Sequence, residues 1–170
     1  MLMKALILTA DDFEDLECFY PIYRLKEEGF EVKVASPEKK EITGKHGYKL
    51  VADMSIDEVK PEEYDVLILP GGRAPEKVRL VDNALKIAKH FFEENKPVAA
   101  ICHGIQTLIS ANLVSGKTAT CWKGIRDDLI SAGATYQDRE VVVDGNLVTS
   151  RQPSDLPKFM KALLSLIKKK

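Results

Sequence analysis

Residues 64–72, YDVLILPGG, constrain this chain more than any other stretch. A continuous apolar run halted by a proline and two glycines is the pattern of a strand covered on both faces, as in the middle of a parallel sheet. The run PVAAIC at 97–102 repeats it. Two such strands call for helical layers above and below, and the intervening segments supply them. KALILT (4–9) reads as a first strand, and DLECFYPIYRLKEEG as a helix stopped at Gly29. EVKVAS (31–36) alternates and ends before Pro37, as a second strand would. Between 41 and 52, two short β-like pieces around Gly44 and Gly47 predict a hairpin off the main sheet.

Farther along, Val81, Leu85, Ala88 and Phe92 recur at helical spacing and mark a buried helix face up to about Glu94. GIQTLISANL predicts the next helix, TATCW (118–122) a strand, and GIRDDLISAG another helix. VVVDGNLVTS reads as a hairpin turning at Asp144, Gly145 and Asn146. Leu156, Phe159, Met160, Leu163, Leu164 and Ile167 form the stripe of a last helix, with Ser154 as its expected N-cap. The order predicts an α/β fold, a three-layer α/β/α sandwich with a flavodoxin-like, mostly parallel sheet and small β-hairpins. At 170 residues it is read as one domain, 1–170.

Composition narrows the function. A hydrophobic share of 45% with 30% charged residues is that of a globular chain. The formal net charge of -1 gives no field for nucleic acid, and the basic run Lys168, Lys169, Lys170 reads as a solubilising helix end. No segment approaches the roughly 20 apolar residues of a membrane span, and the N-terminal apolar stretch is too short for a signal sequence. Three cysteines without a C-x-x-C pair indicate neither a disulfide framework nor a zinc ribbon, and a cytoplasmic location is expected.

Ligands of open parallel sheets sit outside the carboxyl ends of the strands. Three exits here are unusual: Asp11 to Asp15 after the first strand, PGGRAPE at 70–76, and Cys102-His103-Gly104. The acids of the first exit oppose phosphate, so nucleotide and flavin binding are not expected. A receiver domain would want an aspartate where Pro70-Gly71-Gly72 stands. A sharp turn at the last of these exits would lift Cys102 above the sheet as a nucleophile elbow. The N–H groups of the following helix would favour its thiolate, below the ordinary pKa of roughly 8.5. His103 could serve as base or imidazolium partner, although neighbouring side chains in a turn often diverge. Glycines 71 and 72 let backbone N–H groups approach a ligand closely. A free cysteine elsewhere is ordinarily a small core hydrophobe, and Cys18 and Cys121 are read so; His46 and His90 are read as surface residues.

FED (13–15), LPGGRAPE (69–76), AICHG (100–104) and TSRQPSDL (149–156), in that order, resemble the PfpI-like intracellular proteases of the DJ-1/PfpI superfamily, which also holds glyoxalases, deglycases and chaperones. The resemblance runs essentially the whole length. It implies Cys102 as nucleophile, His103 as its partner and Glu14 as the carboxyl bonded to the sulfur. It implies oxyanion donors at the backbone of Gly72 and His103, and Glu76 completing a triad by reaching a histidine of a neighbouring subunit. Trp122 and Arg151 are expected near the pocket, Trp122 standing where many such sequences have tyrosine, which an indole cannot replace as a phenolic acid. No metal or cofactor is implied. The expected partners are further copies of the chain, as a dimer or a higher ring, and a peptide or small carbonyl substrate. The reaction would be peptide hydrolysis or detoxification of methylglyoxal and glycation adducts; the alternative is a non-catalytic stress or redox sensor with an oxidisable Cys102.

Overall fold

The computed structural model describes residues 2–169. Lys170, of the basic run, lies outside the described residues; Lys168 closes the last helix as expected. The strands are β1 (Lys4–Leu8), β2 (Glu31–Ser36), β3 (Glu41–Thr43), β4 (Lys49–Val51), β5 (Met54–Ser55), β6 (Val66–Leu69), β7 (Val98–Ile101), β8 (Thr118–Ala119), β9 (Thr135–Tyr136), β10 (Val142–Asp144) and β11 (Leu147–Ser150). The α-helices are α1 (Asp15–Glu27), α2 (Ala74–Val78), α3 (Asp82–Glu93), α4 (Ile105–Ser110), α5 (Arg126–Ser131) and α6 (Leu156–Lys168). Seven strands form one sheet in the order β10-β11-β7-β6-β1-β2-β5. All neighbours in it are parallel except the β10–β11 hairpin.

Side chains alternate across this sheet, which is why the central strands are apolar throughout. In β1, Ala5 and Ile7 face the layer of α1 and α6, packing with Ile22, Leu25, Phe159 and Leu163. Leu6 and Leu8 face the opposite layer with Ala84, Ile87, Phe91 and Leu108 of α3 and α4. The three-layer α/β/α architecture follows.

Three local expectations are corrected. In α3 Ala88 is buried as expected, but Ala84, Ile87 and Phe91 complete the buried face, while Val81, Leu85 and Phe92 lie at its partly buried flanks. Ser154 does not cap α6; Pro153–Asp155 form a 3-10 turn that leads into the helix. Residues 118–119 join no main-sheet ladder but pair in parallel with β9, a strand too short to announce itself in sequence. The β3–β4 hairpin stands off the main sheet as predicted.

The strand order reverses at β1: β2 follows on one side, β6, β7 and β11 on the other. A crevice therefore opens at the carboxyl ends of β1 and β6, where two connections leave in opposite directions. An isolated antiparallel bridge between Phe13 and Gly72 ties them together.

Candidate active site

Cys102 follows β7 directly and lies in the left-handed region, at φ 62°. That conformation is costly for a residue with a Cβ and persists only where the surroundings hold it. Gly104 provides the hold: a Cβ there would collide with the carbonyl oxygen of Leu69, so only glycine lets the turn pack against the neighbouring strand. The predicted elbow is thus present, followed by a 3-10 turn over Cys102–Gly104 and then α4.

Cys102 is 8% exposed, and its sulfur lies 3.2 Å from Nδ1 of His103. The adjacent pair, whose side chains could have diverged, does converge. Backbone N–H groups of Gly72 and His103 also donate toward the sulfur. Gly72 reaches this position with φ 81°, and a Cβ on it would strike the backbone of Asp12 to Glu14.

The carboxyl beside the sulfur belongs to Glu17, not Glu14. Glu14 ends the first connection as the N-cap of α1, its side chain accepting from the N–H groups of Leu16 and Glu17. One helical turn on, Glu17 projects under β6, where its Oε1 accepts the N–H of Gly71 at 2.8 Å. A Cβ added to Gly71 would sit 2.5 Å from that oxygen and 3.0 Å from the Cys102 sulfur, so the two groups share one small space. Oε2 of Glu17 is buried without a nitrogen or oxygen partner among the described residues. A bare charge there would be poorly solvated, and burial raises the Glu17 pKa to about 8, the nearby Glu14 charge adding to the rise. Glu17 is therefore a protonated acid at neutral pH.

This alters the expected state of the sulfur. Burial, and next the Glu17 charge, push the Cys102 thiol up to about 12, against the pull of the Gly72 and His103 N–H groups and of Lys45. The resting group is a thiol, not the thiolate expected from its place at a helix start. Burial also lowers the His103 pKa, although the Glu76 charge opposes this. A neutral imidazole thus faces the thiol, ready to take its proton. With Glu17 protonated, the second cause of the raised thiol pKa disappears.

These groups line a cavity of about 360 Å³ together with Lys45, His46, Arg73, Trp122 and Pro153. The indole of Trp122 stands at the mouth, 39% exposed, 6.4 Å from the imidazole of His103 between ring centres. His46, read as a surface residue, borders the cavity with Nε2 3.7 Å from Oε1 of Glu14. Arg151 is not in this pocket: its guanidinium is bound to Asp155 and Asp138, bordering a separate surface depression. Glu76 is exposed on α2 and acts on His103 of its own chain through its charge. Cys18 is buried against Thr9, and Cys121 lies in the core, as read from sequence.

Glu17, Lys45 and Arg73 were missed in the sequence. For Glu17 a signal existed: it falls in the apolar register of α1 with Cys18, Pro21, Ile22 and Leu25, where an acid needs a reason to be buried.

An elbow sulfur one strand from the switch-point crevice, with an imidazole and a carboxylic acid beside it, defines an α/β domain of the cysteine-nucleophile class. Comparison with known proteins makes this specific. The chain belongs to the DJ-1/PfpI family, whose model matches residues 3–166. It is 57% identical to a protein named Deglycase PfpI from Pyrococcus furiosus, over 98% of this chain and all of that one. A Bacillus subtilis relative, YraA, provisionally named a cysteine protease, is 46% identical over 99% of this chain and all of the relative. Among solved structures, a two-domain Anabaena variabilis protein with DJ-1/ThiJ/PfpI-like and ferritin-like domains superposes with a TM-score of 0.94 at 42% identity. That match covers 96% of this chain, which spans about half of the two-domain protein, 47%. Drosophila melanogaster DJ-1beta superposes with a TM-score of 0.91 at 26% identity, over 98% of this chain and 91% of that one.

Proposed function

We propose that this PfpI-type enzyme, a cysteine-dependent deglycase or hydrolase by its family and relatives, attacks carbonyl carbons with the sulfur of Cys102. The observation that carries the reading is the placement of that sulfur 3.2 Å from an imidazole nitrogen and beside a protonated carboxyl. As the S–C bond forms, His103 Nδ1 takes the thiol proton. The carbonyl oxygen develops charge, and the N–H groups of Gly72 and His103 are the donors within reach of it. Glu17 supplies a proton to that oxygen and takes the place beside the sulfur that the sequence reading gave to Glu14.

With methylglyoxal, attack at the aldehyde carbon gives a hemithioacetal. Moving the C1 hydrogen, as a proton, to C2 and the hydroxyl proton from the C1 oxygen to the C2 oxygen turns the adduct into a thioester of lactate, which water hydrolyses to restore the thiol. No external oxidant or reductant enters. An aldehyde is far more electrophilic than an amide and needs no leaving-group acid, so the cavity serves dicarbonyl and glycation adducts better than a peptide bond. A purely redox role is less well supported, because oxidation follows thiolate character and the resting sulfur is a thiol.

Glu76 is assigned the orientation of His103, and self-association is expected to place it, either within its own chain or across an interface. The exposed apolar residues Leu16, Tyr23, Tyr48 and Val51, near the hairpin and α1, support self-association. A cytoplasmic setting fits as well, and no helix among the described residues is long and apolar enough to cross a membrane. The deciding experiment compares lactate formation from methylglyoxal with cleavage of a peptide amide in the wild type, Cys102→Ser and Glu17→Gln. The reading fails if neither activity depends on Cys102.

A further inference from the structure

The cavity over Cys102 carries two cations that the chemistry above does not use. Lys45 and Arg73 both border it, and neither makes an ion pair within the chain among the described residues. This is not general on this face of the molecule: Lys40 is paired with Asp11 at 2.9 Å and Lys77 with Asp12 at 2.7 Å.

Their backbones are fixed. The Lys45 N–H donates to the carbonyl of Phe13 at 2.9 Å, and the Arg73 N–H donates to the carbonyl of Asp12 at 2.9 Å, so both residues are pinned to consecutive residues of one segment. The turn that bears Lys45 is clamped further. Asp15, buried, accepts the N–H groups of His46 and Tyr48 through its two carboxylate oxygens, and Gly44 passes so close to that carboxylate that no Cβ fits. The charge of Lys45 is felt at Cys102, Glu17 and His103 alike.

The acids that could cancel this charge are committed or neutral. Glu17 holds its proton at neutral pH. Glu14 accepts two helix N–H groups and faces His46. Glu76 lies on the side of His103.

Resting on the reading of Cys102 as a carbonyl nucleophile, we infer that Lys45 and Arg73 form an anion subsite, so that the small carbonyl compounds captured best by the Cys102 sulfur carry a carboxylate next to the carbonyl under attack. A cavity of about 360 Å³ accepts such a small 2-oxo acid or aldehyde acid. Both cations are exposed, so their effect is that of screened surface charges, and a preference of about tenfold over a neutral analogue is expected.

Two aldehydes of nearly equal size separate the charge from the chemistry: glyoxylate, which is anionic, and glyoxal, which is neutral. Each is captured by an S–C bond at the aldehyde carbon, the thiol proton ending on the aldehyde oxygen. Capture is read as protection of Cys102 against iodoacetamide, by mass spectrometry of the peptide that contains it. The half-protecting concentration of glyoxal divided by that of glyoxylate is the preference. In Lys45→Met/Arg73→Gln it should fall about tenfold, and in Lys45→Arg/Arg73→Lys it should be retained. Raising salt from about 50 to about 500 mM should weaken protection of the wild type by glyoxylate more than by glyoxal, a readout that needs no variant. An unchanged preference in the charge-removed variant, or salt acting equally on the two aldehydes, overturns the subsite while leaving the nucleophile in place. If neither aldehyde slows alkylation of Cys102, the carbonyl reading falls with it.

Discussion

Cys102 and Cys121 are both buried thiols, and burial pushes each up to about 12. Acidity alone does not tell them apart. Around Cys121 the next influence is the charge of Asp128, and the side chain is packed into the core with no exposure. Around Cys102 stand an imidazole nitrogen, two backbone N–H groups and a protonatable carboxyl, and the residue borders a cavity. On the proposed reading, what sets Cys102 apart as the nucleophile is therefore where its proton can go, not how weakly it is held at rest. Burial supplies a dry site, in which the proton acceptor 3.2 Å away counts for more than it would in water.

The largest test of that contrast is the pair Cys102→Ser and Cys121→Ser. The first should lower lactate formation from methylglyoxal by at least about a thousandfold, because an alcohol is a far poorer nucleophile beside the same base. The second should leave the rate within about twofold and act only on stability. Comparable losses in both would mean that the elbow geometry has no special role.

Next in size is Glu17. Glu17→Gln should lower turnover about a hundredfold, and Glu14→Gln distinctly less, since Glu14 caps α1 and does not contact the sulfur. The pH profile gives a sharper reading. An acid that must be protonated, with its pKa raised to about 8, makes the wild-type rate fall as pH rises through about 8. Stability carries the same signature. Folded Glu17 keeps its proton to about 8 but loses it near 4.5 when unfolded, so the folded chain binds more protons between these values. Stability should therefore be greatest, as far as this group is concerned, below about 4.5 and decline until about 8, by on the order of a few kcal/mol. Denaturant unfolding of Glu17→Gln should show a flatter dependence across that window. An equal slope would place the titration elsewhere.

A smaller effect is expected from Gly71→Ala. The added methyl would lie 2.7 Å from Cβ of Cys102 and 2.5 Å from Oε1 of Glu17, so the acid and the sulfur must separate. Turnover should fall about tenfold, a displacement effect of the kind that small misplacements in an active site produce. Melting temperature, measured alongside, distinguishes this from a global loss of packing.

These groups differ in how far the sequence revealed them. Cys102, His103 and Gly72 could be read because strand periodicity and glycine placement put them at strand exits, and an exit in a parallel sheet is a location as well as an ending. Glu17 could not be chosen on the same grounds. Glu14, Asp15 and Glu17 all suit the start of a helix; the apolar register of α1 hints that Glu17 is buried, but the rotation of α1 against β6 decides that it is the one to meet the sulfur. Arg151 follows β11, two strands from the centre, and its place was legible, but Asp155 one turn ahead and Asp138 across the loop hold its guanidinium away. Lys45 and His46 come from a hairpin outside the main sheet, and how that hairpin folds over the crevice is a tertiary matter fixed by Asp15.

Trp122→Tyr should give the smallest change and refines the contrast between proton transfer and packing. The family resemblance places a phenol at this position in many relatives, and a phenol that acted as an acid would raise turnover when restored. The local geometry argues otherwise. The indole stands 6.4 Å from the imidazole ring, is 39% exposed at the cavity mouth, and its backbone N–H already anchors the turn by donating to the carbonyl of Cys102 at 3.2 Å. Both proton-handling groups, His103 and Glu17, lie deeper and touch the sulfur without its help. Replacing indole by phenol therefore widens the mouth without adding a step to the proton path. KM for methylglyoxal should change about two- to threefold while kcat stays within about twofold and the fall in rate near pH 8 keeps its position. A tenfold gain in kcat, or a new acid limb in the profile, would show that the proton path at Cys102 reaches the mouth of the cavity and is wider than the three residues assigned to it.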